Sequence, residues 1–271
     1  MRTPLGLALS FLSAIAVNWA YAREHDAVAA MPAFSARRPL RFVRLLLSNR
    51  AWLTGFGTET GGWIVYVVAL RLAPIALVQA VGAAGIAVLA FASAHGRPGR
   101  LARVEKVAVV VAFAGLLLLS LSLVGSSPTD HVPEKAEVGL WIACLAGGGV
   151  LLAGSGFGLA RAPALGLAAG SLFAAGDICA KLIGYRGVWL LAAVPLVACY
   201  ALGTSFLQAG FQHGNALRPA GLATLATNAL PIAAGFVVFG ERLPHGAGAT
   251  LQLAAFASLV VSGTLLAHTN R

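Results

Sequence analysis

Nine apolar stretches, each long enough to cross a bilayer, are separated along this 271-residue chain by short polar gaps: Leu5–Ala22, Ala51–Arg71, Pro74–Ala94, Glu105–Val124, Val138–Gly158, Ala164–Gly184, Val188–Ala209, Pro219–Gly240 and Ala247–Ala267. A hydrocarbon layer of about 30 Å is crossed by roughly 20 helical residues rising about 1.5 Å each. Composition closes the other routes. Apolar residues make up 59% of the chain and charged residues only 10%, against about 25% charged in a soluble domain. So few charges cannot cover so large an apolar mass, and disorder, a collagen-like rod and a disulfide-stapled scaffold are excluded with it. The alternation of an outer-membrane barrel is absent. The expected fold class is an all-α integral membrane protein of about nine transmembrane helices. Ala20-Tyr21-Ala22 resembles a signal-peptide cleavage site. The apolar run before it exceeds the usual 7–15 residues or so, however, and it is read as the first span.

The formal charge of +10 does not point to nucleic acid, because the basic residues occupy the gaps and not a polar face. Thirteen fall on one side: Arg23, Arg37, Arg38, Arg41, Arg44 and Arg50 after the first span, Arg97, Arg100, Arg103 and Lys106 after the third, then Arg161, Arg218 and Arg271. Six fall on the other: Arg2, Arg71, Lys135, Lys181, Arg186 and Arg242. The positive-inside rule then predicts a multi-pass plasma-membrane protein with its amino terminus outside and its carboxyl terminus in the cytoplasm. Trp19, Trp52, Trp141 and Trp189 fall near expected span ends, as interfacial anchoring requires. The stretch Ser35–Asn49 reads equally as an amphipathic helix on anionic headgroups or as a plain basic topology loop. Cys144, Cys179 and Cys199 lie inside apolar segments and read as small buried hydrophobes.

A shift of 145 residues lays the third span on the eighth. Pro74 meets Pro219, Leu77 meets Leu222, Ala84 meets Ala229, Phe91 meets Phe236 and Arg97 meets Arg242. Four spans, a lone fifth and four more would place the halves in opposite orientations, an inverted repeat of four + one + four, as in many secondary transporters. The expected domains are a first repeat over 1–124 with a basic cytoplasmic loop over 23–50, a linker helix over 125–162 and a second repeat over 163–271.

Asn215-Ala216-Leu217-Arg218-Pro219 enters a span holding Pro231, and Phe239-Gly240-Glu241-Arg242-Leu243 precedes the last one. With these segments the chain resembles the drug/metabolite transporter superfamily in its EamA-like form. Trp52 and Gly55, Ala73-Pro74-Ile75-Ala76-Leu77-Val78 with Gly82-Ala83, and the long charged gap after the first span are similar to the NIPA-type branch. That resemblance implies magnesium transport and draws attention to Ala180-Lys181 and Glu241. Gly96 stands where the first half would repeat Glu241, and the acid of the second span is Glu59.

Ionisable groups are costly in a bilayer and mark cavities or partners. Two acids lie well inside the spans. Glu59, within Gly55-Phe56-Gly57-Thr58-Glu59-Thr60-Gly61-Gly62, reads as a coupling or substrate-binding carboxylate, or as a protonated acid bonded to another helix. Asp177 and Lys181 are one turn apart and read as a structural ion pair or as part of the site. Thr224, Thr227, Asn228 and Pro231 share one face of the eighth span, where the proline frees backbone polarity. Gln79, Asn18 and Gln208 are further candidates. No histidine pair has metal-ligand spacing, so a metal set would be Glu59 with Asp177 in a cation transporter. No nucleotide-binding loop and no catalytic triad occurs, and neither an enzyme nor a cofactor is expected. The leading expectation is a permease moving a small solute by alternating access with ion or proton coupling. The alternatives are a divalent-cation transporter, and a non-transporting scaffold or cell-envelope accessory subunit. The partners implied are the lipid bilayer and a small solute or ion, with no nucleic acid; a homodimer is compatible with the sequence.

Overall fold

Helix and apolar run do not share boundaries. The computed structural model describes residues 2–32, 39–72, 81, 85, 88–90, 92, 102–122, 133–155, 160–183, 187–213, 215–239 and 246–268, and no strand occurs among them. The helices are α1 (Arg2–Ala29), α2 (Pro39–Ser48), α3 (Arg50–Leu72), α4 (Arg103–Ser122), α5 (Lys135–Ser155), α6 (Arg161–Ile183), α7 (Ala193–Phe211, entered through a 3-10 turn at Gly187–Ala192), α8 (Leu217–Val237) and α9 (Ala247–His268). Helices α3 to α6 each begin on an arginine or lysine that lies one to three residues ahead of the apolar run. Arg and Lys are good helix formers whose stems stay along the helix while the charge reaches outward. The largest difference is in α1. Arg23-Glu24-His25-Asp26-Ala27-Val28-Ala29 contains neither Gly nor Pro, so the helix runs seven residues past the expected end at Ala22. The third expected span, 74–94, lies mostly outside the described residues; Val81, Gly85, Val88–Ala90 and Ala92 are helical.

Five helical stretches are long and apolar enough to cross a membrane: Thr3–Ala29, Lys135–Gly154, Arg161–Ala180, Gly187–Phe211 and Gly248–Leu266. Their outward faces are apolar. Leu140 and Leu151 of α5, Leu191 and Val194 around the start of α7, and Leu253 of α9 are each more than 60% exposed, a pattern foreign to a monomeric soluble surface.

The chain divides into two compact units. The first comprises Met1–Val124, Gly214–Leu217 and Pro244–Arg271; the second comprises Gly125–His213 and Arg218–Leu243. In the first, α1 and α3 run antiparallel in close contact. Ser13 Oγ donates to the Gly62 carbonyl at 2.7 Å, and a Cβ on Gly62 would come within 2.8 Å of Val17. Helices α4 and α9 form a second antiparallel pair, with Ser262 Oγ donating to the Ala108 carbonyl at 2.8 Å and Gly115 lying against Ser258 and Leu259. Glu105, buried in the first turn of α4, uses both oxygens. Oε2 accepts from the Ala102 amide at 3.0 Å, the backward half of a capping box, and Oε1 accepts from Asn215 Nδ2 at 2.8 Å. The start of α4 is thereby tied to the short 214–217 segment of the same unit.

Between α2 and α3 stands a single residue, Asn49. Its amide donates to the Leu46 carbonyl at 3.0 Å and closes α2, while its Oδ1 accepts from the Trp52 amide at 2.9 Å and caps α3. Asn49→Ala is expected to lower stability by about 1 kcal/mol, read as a lower unfolding temperature in detergent; Asn49→Asp, which keeps the cap, is expected to restore it.

The second unit is built on α6, which is buried along most of its length while α5 and α7 present most of theirs outward. Each neighbour of α6 is admitted by a glycine. Gly149 of α5 lies 3.0 Å (as a built Cβ) from the Ala168 carbonyl oxygen, and Gly203 of α7 faces the Phe173 ring. Gly166 and Gly170 of α6 face Pro219, Ala223 and Ala226 of α8. The spacing Gly166-Leu167-Ala168-Ala169-Gly170 is the small-xxx-small pattern that lets two helices close on one another's backbone. Helices α5 and α7 run antiparallel to α6, and α8 runs parallel to it. Gly147, Gly148 and Gly154 of α5 have nothing within 4 Å of a built Cβ.

Candidate functional site

The seam between α1 and α3 holds two acids of the first unit, Glu24 and Glu59. Gly55 makes the room: a Cβ there would lie 2.7 Å from Glu24 Cγ. One turn on, the Glu59 carboxyl faces the side chains of both Glu24 and Tyr21. Glu24 has no solvent exposure. The threonines flanking Glu59 do not take part. Thr58 Oγ1 donates to the Thr54 carbonyl and Thr60 Oγ1 to the Phe56 carbonyl, each at 2.8 Å, satisfying themselves within their own helix. Of the four glycines around Glu59, Gly55 and Gly62 meet α1, whereas Gly57 and Gly61 have nothing within 4 Å.

One turn before Tyr21, Asn18 is buried next to Gly85. Its Nδ2 donates to the Ala14 carbonyl at 2.9 Å, and its Oδ1 has no hydrogen-bond partner among the described residues. His25, also buried, faces Asp26 with Nδ1 at 3.2 Å from Oδ1. Sequence reasoning missed Glu24 and His25 by ending the first span at Ala22. The available signal was the run of helix-forming residues up to Pro32.

In the second unit, Tyr200 Oη of α7 donates to Asp177 Oδ1 of α6 at 2.6 Å. Gly176 leaves the space the tyrosine ring fills, and Phe173 sits 5.5 Å from that ring, centroid to centroid. Lys181 lies in α6 one turn from Asp177, but its side chain is outside the described residues. On α8, Asn228 Nδ2 donates to the Thr224 carbonyl at 2.7 Å, and Thr227 Oγ1 points toward the Gly170 carbonyl at a long 3.5 Å. Pro231 stands inside α8 and cannot donate to the Thr227 carbonyl. Gln208 is fully buried on α7. Gln79 and Glu241 lie outside the described residues. Glu59 belongs to the first unit and Asp177 to the second, and the carboxyl that meets Glu59 is Glu24.

At the start of α6, Arg161 Nη1 donates to the Ala153 carbonyl of α5 at 2.6 Å. Partial burial, and after it the Arg161 charge, hold the His213 imidazole below its ordinary range. Among the described residues no group of three or more His, Cys, Asp or Glu is placed to hold a metal ion. Trp52, expected at a lipid interface, is instead buried and stacks on Phe56 at 4.9 Å.

Comparison with protein families, with curated proteins and with solved structures finds no match for this chain.

Proposed function

We propose that the chain is a plasma-membrane permease of the drug/metabolite type, moving a small solute by alternating access in exchange for protons. One observation carries the reading: two carboxyl groups, Glu24 and Glu59, facing each other beside Tyr21 in the seam of two tightly packed helices. A carboxyl pair of this kind binds and releases a proton as its surroundings change, and intramembrane acids are kept where an ion or proton moves. The unpartnered Asn18 carbonyl one turn away supplies an acceptor on the same helix, and Pro231 inside α8 withholds a backbone donor from the Thr227 carbonyl of the second unit. Helix directions support one crossing per apolar segment: α1 with α3, and α4 with α9, are antiparallel, as alternate crossings require. In this proposal nine spans form the inverted repeat, with the amino terminus outside and the basic gaps in the cytoplasm.

The test is a proteoliposome assay with a trapped pH dye and a panel of amino acids, organic cations and divalent cations. The proposal expects one solute class to acidify the lumen as it leaves and to make it more alkaline as it enters. A panel in which solute moves with no proton, or nothing moves, contradicts it. A second reading, a divalent-cation transporter, is favoured by the two adjacent carboxylates, since Mg²⁺ takes one or two with waters. It predicts that Mg²⁺ raises the unfolding temperature of the parent and not of a Glu24→Gln/Glu59→Gln protein.

A further inference from the structure

We infer that α2 is an interfacial helix whose arginines bind the anionic headgroups of the bilayer that α3 enters, an inference that rests on the membrane reading above. With 3.6 residues per turn, or about 100° per residue, the helix has three faces. Phe42 and Leu46 lie on one and are buried, at 3% and 4% exposure. Val43 and Leu47 lie on the next, at 38% and 58% exposure. Arg41, Arg44 and Ser48 lie on the third, all exposed. A helix resting on a protein in water needs one apolar face. The second, uncovered and bordered on its outer side by the arginine face, is the arrangement that lies in a headgroup layer with its apolar side toward the acyl chains.

Position argues the same way. Asn49 closes α2 and caps α3 at once, so no slack separates the two helices. The amino-terminal end of a spanning α3 lies at the membrane surface, and α2 is held there. Charge then selects the occupant. Residues 39–50 contain three arginines and no acid, and among the described residues Arg41 and Arg44 enter no ion pair. The sign fits the phosphates of an anionic leaflet.

The test uses the full chain with Cys144, Cys179 and Cys199 replaced by alanine, carrying one nitroxide on Leu47→Cys. It is placed in nanodiscs of phosphatidylcholine alone or with one part phosphatidylglycerol to three of phosphatidylcholine. Accessibility to oxygen and to a water-soluble nickel chelate reports immersion, and a label on Leu151→Cys of α5, 64% exposed in this fold, serves as reference. The Leu47 label is expected to sit among acyl chains in the anionic discs. Each arginine contributes about fivefold to that equilibrium, so the Arg41→Gln/Arg44→Gln protein is expected to shift it about 25-fold toward water. A Leu47 label open to the nickel reagent in anionic discs, with Leu151 in lipid, overturns the inference and leaves the membrane reading intact; a face kept for a soluble partner gives that result. Immersion that is indifferent to phosphatidylglycerol and to the arginines also overturns it. A Leu151 label open to water overturns the membrane reading itself.

Discussion

A Glu59→Gln protein is expected to fold and insert as the parent does, yet to lose solute uptake driven by a proton gradient by at least tenfold, a change of about 1.4 kcal/mol or more in the driven step. The reasoning is local. Glutamine has the volume of glutamate and keeps a polar head able to accept from Tyr21 and donate to Glu24, so the packing and polarity around position 59 are preserved. What it cannot do is exchange a proton. Glu24→Gln is expected to behave in the same way, because in this proposal the proton is held by the two carboxyls together and either one alone loses its partner. Uptake at the parental rate in Glu59→Gln, with the parental response to an imposed pH gradient, removes the coupling role from this seam. Unfolding temperatures of parent and variant in the same detergent separate this loss from misfolding.

The largest structural effect is expected at the α6–α8 contact. A Cβ on Gly166 would lie 2.5 Å from the Pro219 carbonyl oxygen and 2.6 Å from its Cα, and one on Gly170 would lie 2.6 Å from the Ala223 carbonyl oxygen. These are backbone atoms, which cannot swing aside as a side-chain tip can, so the helices must part. Gly166→Ala or Gly170→Ala is therefore expected to cost about 3 kcal/mol by overpacking, roughly 10 °C in unfolding temperature for a chain of this size. Gly147→Ala is the control. Nothing lies within 4 Å of its built Cβ, and alanine is the better helix former by up to about 1 kcal/mol, so stability is expected to hold or rise. Equal effects at positions 147 and 170 would show that α6 and α8 do not pack through these glycines.

Hydropathy reports the hydrocarbon layer and not the helix, which explains what could be read in advance. The apolar runs from 138, 164 and 247 are helical, but α5 and α6 begin three residues earlier, at Lys135 and Arg161, where charge hides the continuation. The same blindness ended the first span at Ala22 and hid Glu24, the carboxyl nearest Glu59. Glu59 itself was legible because a lone acid in an apolar run is costly; its partner was not, because pairing depends on which helix turns toward which. Glycine needs the same distinction. Gly166-Leu167-Ala168-Ala169-Gly170 has a small-xxx-small spacing and both its glycines meet α8, whereas Gly147-Gly148-Gly149, as dense in glycine, supplies only Gly149 to a neighbour. The Asn49 cap follows a simple rule, an Asn one residue ahead of a helix, and α2 is one of two readings that the basic stretch left open.

The most direct measurement of the account concerns water at the Glu24–Glu59 seam. In the chain lacking its three native cysteines, Tyr21→Cys keeps both carboxyls and places a thiol beside them. Sealed vesicles are then exposed to membrane-impermeant thiol reagents from one face or the other, with and without a proton gradient. The account predicts modification from both faces, with the favoured face changing as the gradient is imposed. A thiol that stays unmodified from either face under every condition would place the pair in a dry helix contact, and the permease reading would fall with it.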